Sequence, residues 1–270
     1  DLFNAMIEQL PDRLDKDMIL KLVDLGLRMA DQKHILAYFK DEDMQSQLAG
    51  YNWTGEILDS NGDYLQVVNT NIAGAKTDRE IDQEIRHYLE MGDDGSVIAT
   101  TKIIRSHTAN KGDDFTGQRN VNWLRVYVPA GSELIDAYGF RQPDDEFYEA
   151  PDPAWEFDPD VLKARQSKVI DPDSLTNIYD DLGKTVFANW SMIDPGEIET
   201  IYFKYKLPTK VRPGAGYEVL IQKQAGMKTG RLKLSIDFAD NLIPKNLELR
   251  NGLYIEDITF DVDDLLQIKF

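Results

Sequence analysis

In residues 231–238, RLKLSIDF, the apolar side chains Leu232, Leu234, Ile236 and Phe238 alternate with Arg231, Lys233, Ser235 and Asp237. Successive side chains of a strand point to opposite faces, so this pattern sets one face on a core and the other in water. Residues 198–208, IETIYFKYKLP, repeat it with Ile201, Phe203, Tyr205 and Leu207. From about Tyr51 onward such runs dominate, each bounded by Gly, Asp, Asn or Pro, and they restrict the chain to a sheet architecture.

Turn chemistry proposes how the strands connect. REIDQEIRHYLEM followed by GDDGSVIATTKIIRSH reads as a long hairpin with Ile81, Ile85 and Leu89 inward and Asp94-Gly95 in the turn. VNWLRVYVPAG and SELIDAYGF read as a second hairpin across Gly131. TVFANWSMIDPGEIETIYFKYKLP reads as a third, with Pro195-Gly196 central in a type II turn. Further strands are expected at GYEVLIQKQ, RLKLSIDF, LYIEDITF and LLQIKF. The fold class is α+β, mainly β, with an antiparallel β-sandwich of about ten or more strands.

The N-terminal part has a different period. Leu2, Phe3, Met6, Ile7 and Leu10, then Met18, Ile19, Leu22, Leu25 and Met29, recur at helical spacing, with Pro11 between two helices and Asp17 in the first turn of the second. HILAYFK reads as a short buried strand, and DEDMQSQLAG as a brief helix stopped at Gly50. The expected organisation is a helical/αβ lead-in over 1–52 and a β-sandwich domain over 53–270, with a long insertion at 143–183. Within that insertion DPDVLKARQSKV offers a short helix, with Pro159 near its start.

At 270 residues, with 42% hydrophobic and 10% aromatic content, the chain can bury a full core. Its 30 Lys plus Arg against 48 Asp plus Glu give a formal charge of −18, which repels a phosphate backbone and argues against nucleic acid and anionic membrane surfaces as partners. No run approaches the roughly 18 to 20 apolar residues that span a bilayer. With no cysteine, disulfides, thiolate metal sites and cysteine nucleophiles are excluded.

Several motifs invite a chemical interpretation and fail it. Asp59, Asn61 and Asp63 have the spacing of a calcium loop, but its sixth and twelfth positions hold Tyr64 and Thr70 instead of Gly and Glu. Ser60-Asn61-Gly62 is better taken as a turn into a strand. NIAGAKTD ends a small-residue run in Lys76-Thr77, yet lacks the paired glycines and following helix of a phosphate loop. His34, His87 and His107 lack metal-ligand spacing, and the two strand histidines are expected to be solvated and not opposite each other. No metal and no cofactor is expected, and no catalytic residue is assigned. Asn52-Trp-Thr and Asn189-Trp-Ser match the glycosylation pattern by chance.

The candidate ligand-binding residues fall in PDDEFYEAPDPAWEFDPD, residues 143–160, a segment too long for a hairpin loop. Asp144, Glu146, Tyr148, Trp155 and Glu156 combine carboxylates with aromatic rings, a mix that can stack on sugar rings or bind a cation. The plainer alternative is a covering loop with its aromatics packed inward and its acids outward.

Four ordered stretches, KHILAYFKDEDMQSQLAGYNWTGEI, GDYLQVVNTNIAGAKTDREIDQEI, GKTVFANWSMIDPGEIETIYFKYKLP and YEVLIQKQAG, resemble the C-terminal part of the bacterial domain of unknown function 4012 family, from about residue 30 to residue 240. The resemblance implies an extracytoplasmic module of a membrane-anchored bacterial surface protein, part of which is similar to the LytR-CpsA-Psr type of cell-wall glycopolymer transferase. This chain lacks the anchor and the arginine-rich and glycine-rich segments of that similarity, and no catalytic residue carries over. The implied role is envelope-structural or interactive, with a cell-wall glycan or another envelope protein as partner. A membrane is met only through an anchor outside this chain, and a monomer is expected. The alternatives are an accessory or catalytic part of a glycopolymer transferase, or a carbohydrate-binding module.

Overall fold

A computed structural model describes residues 15–144, 147, 152–156, 158–166 and 168–270, with side chains at all of these except 163–166. The chain divides into two compact units: residues up to Glu56 with Ala225–Met227, and Ile57–Gln224 with Lys228–Phe270.

The first unit contains α1 (Lys16–Asp31) and α2 (Glu42–Gly50). Each begins on an aspartate: the Asp15 and Asp41 carboxylates accept from the backbone N–H of Met18 and Met44 at 2.8 and 3.0 Å. These bonds satisfy donors that the first helical turn leaves without partners. Asp17 sits in the first turn of α1, as expected. HILAYFK is not the buried strand that its apolar run suggests. Ile35, Leu36, Tyr38 and Phe39 are exposed on irregular backbone. The Ile35 N–H bonds back to Met29 and the Phe39 N–H bonds to the Gln45 side chain, so the groups a ladder would need are satisfied locally. The helix expected over the first ten residues lies outside the described residues.

The second unit carries the sandwich. Its strands are β1 (Gly62–Asn71), β2 (Ile81–Met91), β3 (Val97–His107), β4 (Asn120–Pro129), β5 (Glu133–Tyr138), β6 (Val169–Ile170), β7 (Asn177–Asp181), β8 (Lys184–Ile193), β9 (Ile198–Lys206), β10 (Gly216–Gln222), β11 (Gly230–Asp237), β12 (Leu253–Phe260) and β13 (Asp264–Lys269), with a short helix α3 (Pro159–Gln166) before β6. The segment expected as an insertion thus supplies α3 and two strands. One sheet has seven strands in the order β13-β10-β1-β4-β8-β7-β6, and the other has six in the order β12-β11-β2-β3-β9-β5. Chain neighbours β1/β2, β3/β4, β8/β9, β10/β11 and β12/β13 are divided between the two sheets at matching positions.

The expected sandwich is therefore present, but its connections differ from the turn-based expectation. The β2–β3 hairpin forms, and Gly95 in its turn has φ +78°, where an added Cβ would lie 2.2 Å from the Val211 carbonyl oxygen. The other two expected hairpins are crossings between sheets, since β4 pairs with β1 and β8 while β5 pairs with β9. At Pro195-Gly196 the turn itself is as expected, with Glu197 N–H donating to Asp194 O at 3.0 Å and Gly196 at φ +84°. A turn reverses the chain; it does not decide whether the strands lie side by side or face to face. Two joints are also parallel, β1 with β10 and β2 with β11, so each sheet is mixed.

The inner faces interdigitate, with Phe187 of β8 at 6.2 Å from Phe203 and 5.5 Å from Tyr205 of β9, centroid to centroid. A second apolar cluster covers the outer side of the seven-stranded sheet, where Tyr64, Tyr127, Val186, Ala188 and Leu220 pack with Ile57 and Leu58. That cover explains why β1 and β8 are buried nearly continuously instead of alternately. The six-stranded sheet keeps strict alternation on β2, β3, β9 and β11, leaving its outer face to solvent.

Candidate functional site

Two polar constellations stand out, one sealed and one open. The sealed one begins at Asp63, in the stretch that resembles a calcium loop. Its carboxylate meets His87 Nε2 at 2.6 Å, His87 Nδ1 meets Thr101 Oγ1 at 2.9 Å, and Thr101 Oγ1 lies 3.3 Å from Tyr205 OH. The other Asp63 oxygen accepts from the Tyr64 N–H at 2.8 Å. Both side chains of the Asp63–His87 pair have 0% exposure. Burial pushes the phenols of Tyr205 and Tyr217 well above their ordinary range, with the Asp63 charge adding to it.

The expectation that His87 and His107 are solvated is thus overturned, since they are 1% and 2% exposed. They are not opposite each other: His87 pairs with Thr101, and His107 with Ile81. Strand parity carried the signal, because His87 shares a face with Ile85 and Leu89. The relay ties β1 to β2 and β3 across the sandwich, where no solute reaches it.

The open constellation lies on the outer face of the six-stranded sheet. Register places Lys233 of β11 opposite Arg86 of β2, Arg86 opposite Lys102 of β3, Lys102 opposite Tyr202 of β9, and Tyr202 opposite Tyr138 of β5. Three cations and two tyrosines therefore form one row across five strands, which continues onto β12 with Asp257 opposite Lys233. Arg86 is held by Glu84 at 2.7 Å, and that hydrogen bond raises its pKa. Lys102 and Lys233 have no ion pair among the described residues. The nearby carboxylates have other partners: Asp257 pairs with Arg231 at 3.0 Å, Glu90 lies 4.0 Å from Lys204, and Asp237 accepts from Tyr88 OH at 3.3 Å.

Arg86, Tyr88, Thr100, Lys102, Lys233 and Ser235 line a depression of about 270 Å³ at the row. Burial, then the Asp237 and Glu90 charges, push the Tyr88 phenol up to about 12, keeping it a hydrogen-bond donor at neutral pH. Like charges directly opposite on adjacent strands destabilise a sheet. Carboxylates flank the row without filling it: Asp257 of β12 is in register opposite Lys233 yet turns to Arg231, and Glu84 bonds Arg86. Such a depression can bind an anion through charge-assisted hydrogen bonds, with the Thr100 and Ser235 hydroxyls available as donors or acceptors.

Of the residues that the sequence nominates, Asp144, Trp155 and Glu156 are exposed, and Glu146 and Tyr148 lie outside the described residues. Trp155 is 68% exposed and Phe147 45%, so these rings are not packed inward as a covering loop would have them. A local turn orders 152–155, where Asp152 accepts from the N–H groups of Ala154 and Trp155. Asp144 contributes to the field at Arg119, whose pKa is raised chiefly by its bond to Asp194. Asn189, in one of the two glycosylation patterns, is buried and donates to Ser174 O and Thr176 Oγ1.

No protein-family model matches the chain. No curated protein matches it either. Among solved structures, a Legionella pneumophila protein provisionally described as nutrient-binding aligns over 78% of this chain and 72% of its own, at 10% identity and a TM-score of 0.43. An M1 zinc metallopeptidase from Deinococcus radiodurans aligns over 71% of this chain at 10% identity and a TM-score of 0.29. The chain spans 42% of that peptidase's length.

Proposed function

We propose that the β-sandwich is a binding module of a bacterial envelope protein, acting by interaction and not by catalysis, with the outer face of its six-stranded sheet as the binding surface. The observation that carries this reading is the Lys233–Arg86–Lys102 row, three cations in direct register of which two have no ion pair among the described residues. The row is only partly offset from within the chain: Glu84 bonds Arg86, and Asp257 of β12 stands in register opposite Lys233 but pairs with Arg231. Support for the envelope setting comes from the resemblance of residues 30–240 to the domain of unknown function 4012 family. In that setting the module sits outside the cytoplasm, in a larger protein anchored elsewhere in its sequence.

The test is co-sedimentation of the purified chain with isolated bacterial cell envelopes, comparing wild type with the Arg86→Glu/Lys102→Glu double variant. Wild type is expected to sediment with the envelopes, and the variant to stay about tenfold more in the supernatant while unfolding at a similar temperature. Equal sedimentation of both, or saturable turnover of an envelope glycan by the purified chain, would overturn the proposal.

A further inference from the structure

We infer that the ligand of this face is an acidic carbohydrate, its carboxylate or phosphate group seated on Lys233, Arg86 and Lys102 and its sugar rings against Tyr202 and Tyr138. The inference rests on the reading that this face is the binding surface, and names what the surface recognises. Adjacent strands lie about 4.8 Å apart, so the row from β11 to β5 runs about 19 Å perpendicular to the strands. A ligand matching it is elongated, anionic at one end and flat with apolar patches at the other.

Each part of the row has the chemistry for this. The planar fork of Arg86 and the two lysines offer donors to an oxyanion. Around the same depression Thr100 and Ser235 can each donate and accept, as recognition of sugar hydroxyls demands, while the Tyr88 hydroxyl, which donates to Asp237, can accept. Tyr138 and Tyr202 stack at 4.4 Å with an interplanar angle of 18°, and Tyr138 remains 54% exposed at the sheet edge. Stacked on each other, the two rings brace one another, and the exposed side of Tyr138 at the sheet edge is left for a sugar at low entropic cost. A nucleic acid is a poorer fit, because the tyrosines follow the cations at one end while the chain as a whole repels a long phosphate backbone.

The experiment is calorimetric titration of the intact chain with three probes: oligogalacturonate for the carboxylate form, poly(glycerol phosphate) bearing glucosyl groups for the phosphate form, and dextran oligosaccharide as the neutral control. At least one acidic probe is expected to bind, with dextran silent and affinity falling as salt rises from about 50 to 300 mM. Lys102→Gln and Lys233→Gln should each weaken binding about tenfold. Tyr138→Ala should weaken it several-fold without changing the salt dependence. Whichever acidic probe binds identifies the group recognised.

Dextran binding as tightly as both acids, or an acidic probe binding with no effect of Tyr138→Ala, would overturn the inference while leaving the face as a binding surface. Silence of all three probes, with envelope sedimentation still lost in the Arg86→Glu/Lys102→Glu variant, would also overturn it and point to a protein partner. No effect of the row on any probe or on sedimentation would overturn both readings.

Discussion

At the residue scale, burial in β2, β3, β9 and β11 follows the alternation of side chains along each strand. Leu232, Leu234 and Ile236 are each 0% exposed, as the alternation requires. The same parity turns His87 inward, but nothing in sequence shows Asp63 arriving from the opposite sheet to meet it. Asp264 is a similar case with a measurable consequence. Burial, then the Glu256 carboxylate, push its carboxyl up from 3.8 to about 6, and its Oδ2 has no hydrogen-bond partner. The folded state thus favours the protonated form, so this contribution is fully present below pH 3.8 and is lost as pH rises through about 6. Asp264→Asn should therefore stabilise the protein at pH 8 by about 1 kcal/mol, after allowance for solvent screening at this partly buried position, and do little at pH 4. Thermal unfolding at the two pH values checks this, and an equal effect at both would exclude the mechanism.

At the scale of elements, most strands could be placed from their alternation, and several of their neighbours could not. Pro195-Gly196 predicts the β8–β9 turn correctly, yet the strands it joins face each other across the core. The distinction lies in β8, whose buried Val186 and Ala188 require a second apolar layer that a simple hairpin with one wet face would not have. Because Phe187 and Phe203 meet between the sheets, each replacement by alanine should cost about 3–5 kcal/mol. The double variant should cost less than the sum by at least about 0.5 kcal/mol. Denaturant titration of the four proteins measures this coupling, and strict additivity would mean that the two rings do not pack. The candidate site was hidden for a related reason: Lys233, Arg86 and Lys102 are far apart in sequence, and only the strand pairing, including the parallel β2–β11 joint, makes them one row.

At the scale of the whole molecule, a cationic row in a chain of charge −18 sets folding against binding. Lys102→Glu would place a carboxylate opposite Arg86 and should raise stability by about 0.3–1 kcal/mol, or about 1–4 °C in Tm, while weakening ligand binding. A loss of stability in that variant would show the row to be structural.

The parallel joint between β1 and β10 also has a consequence in time. Gly62 pairs with Glu218, 156 residues further along the chain. At about 5–20 residues per second of synthesis, β1 emerges roughly 8–30 s before its neighbour exists. Throughout that interval one edge of β1 is an unpaired ladder able to recruit a strand from another nascent chain. Safe production of this sandwich therefore depends on how quickly its last quarter follows its first, and on what shields that edge until then.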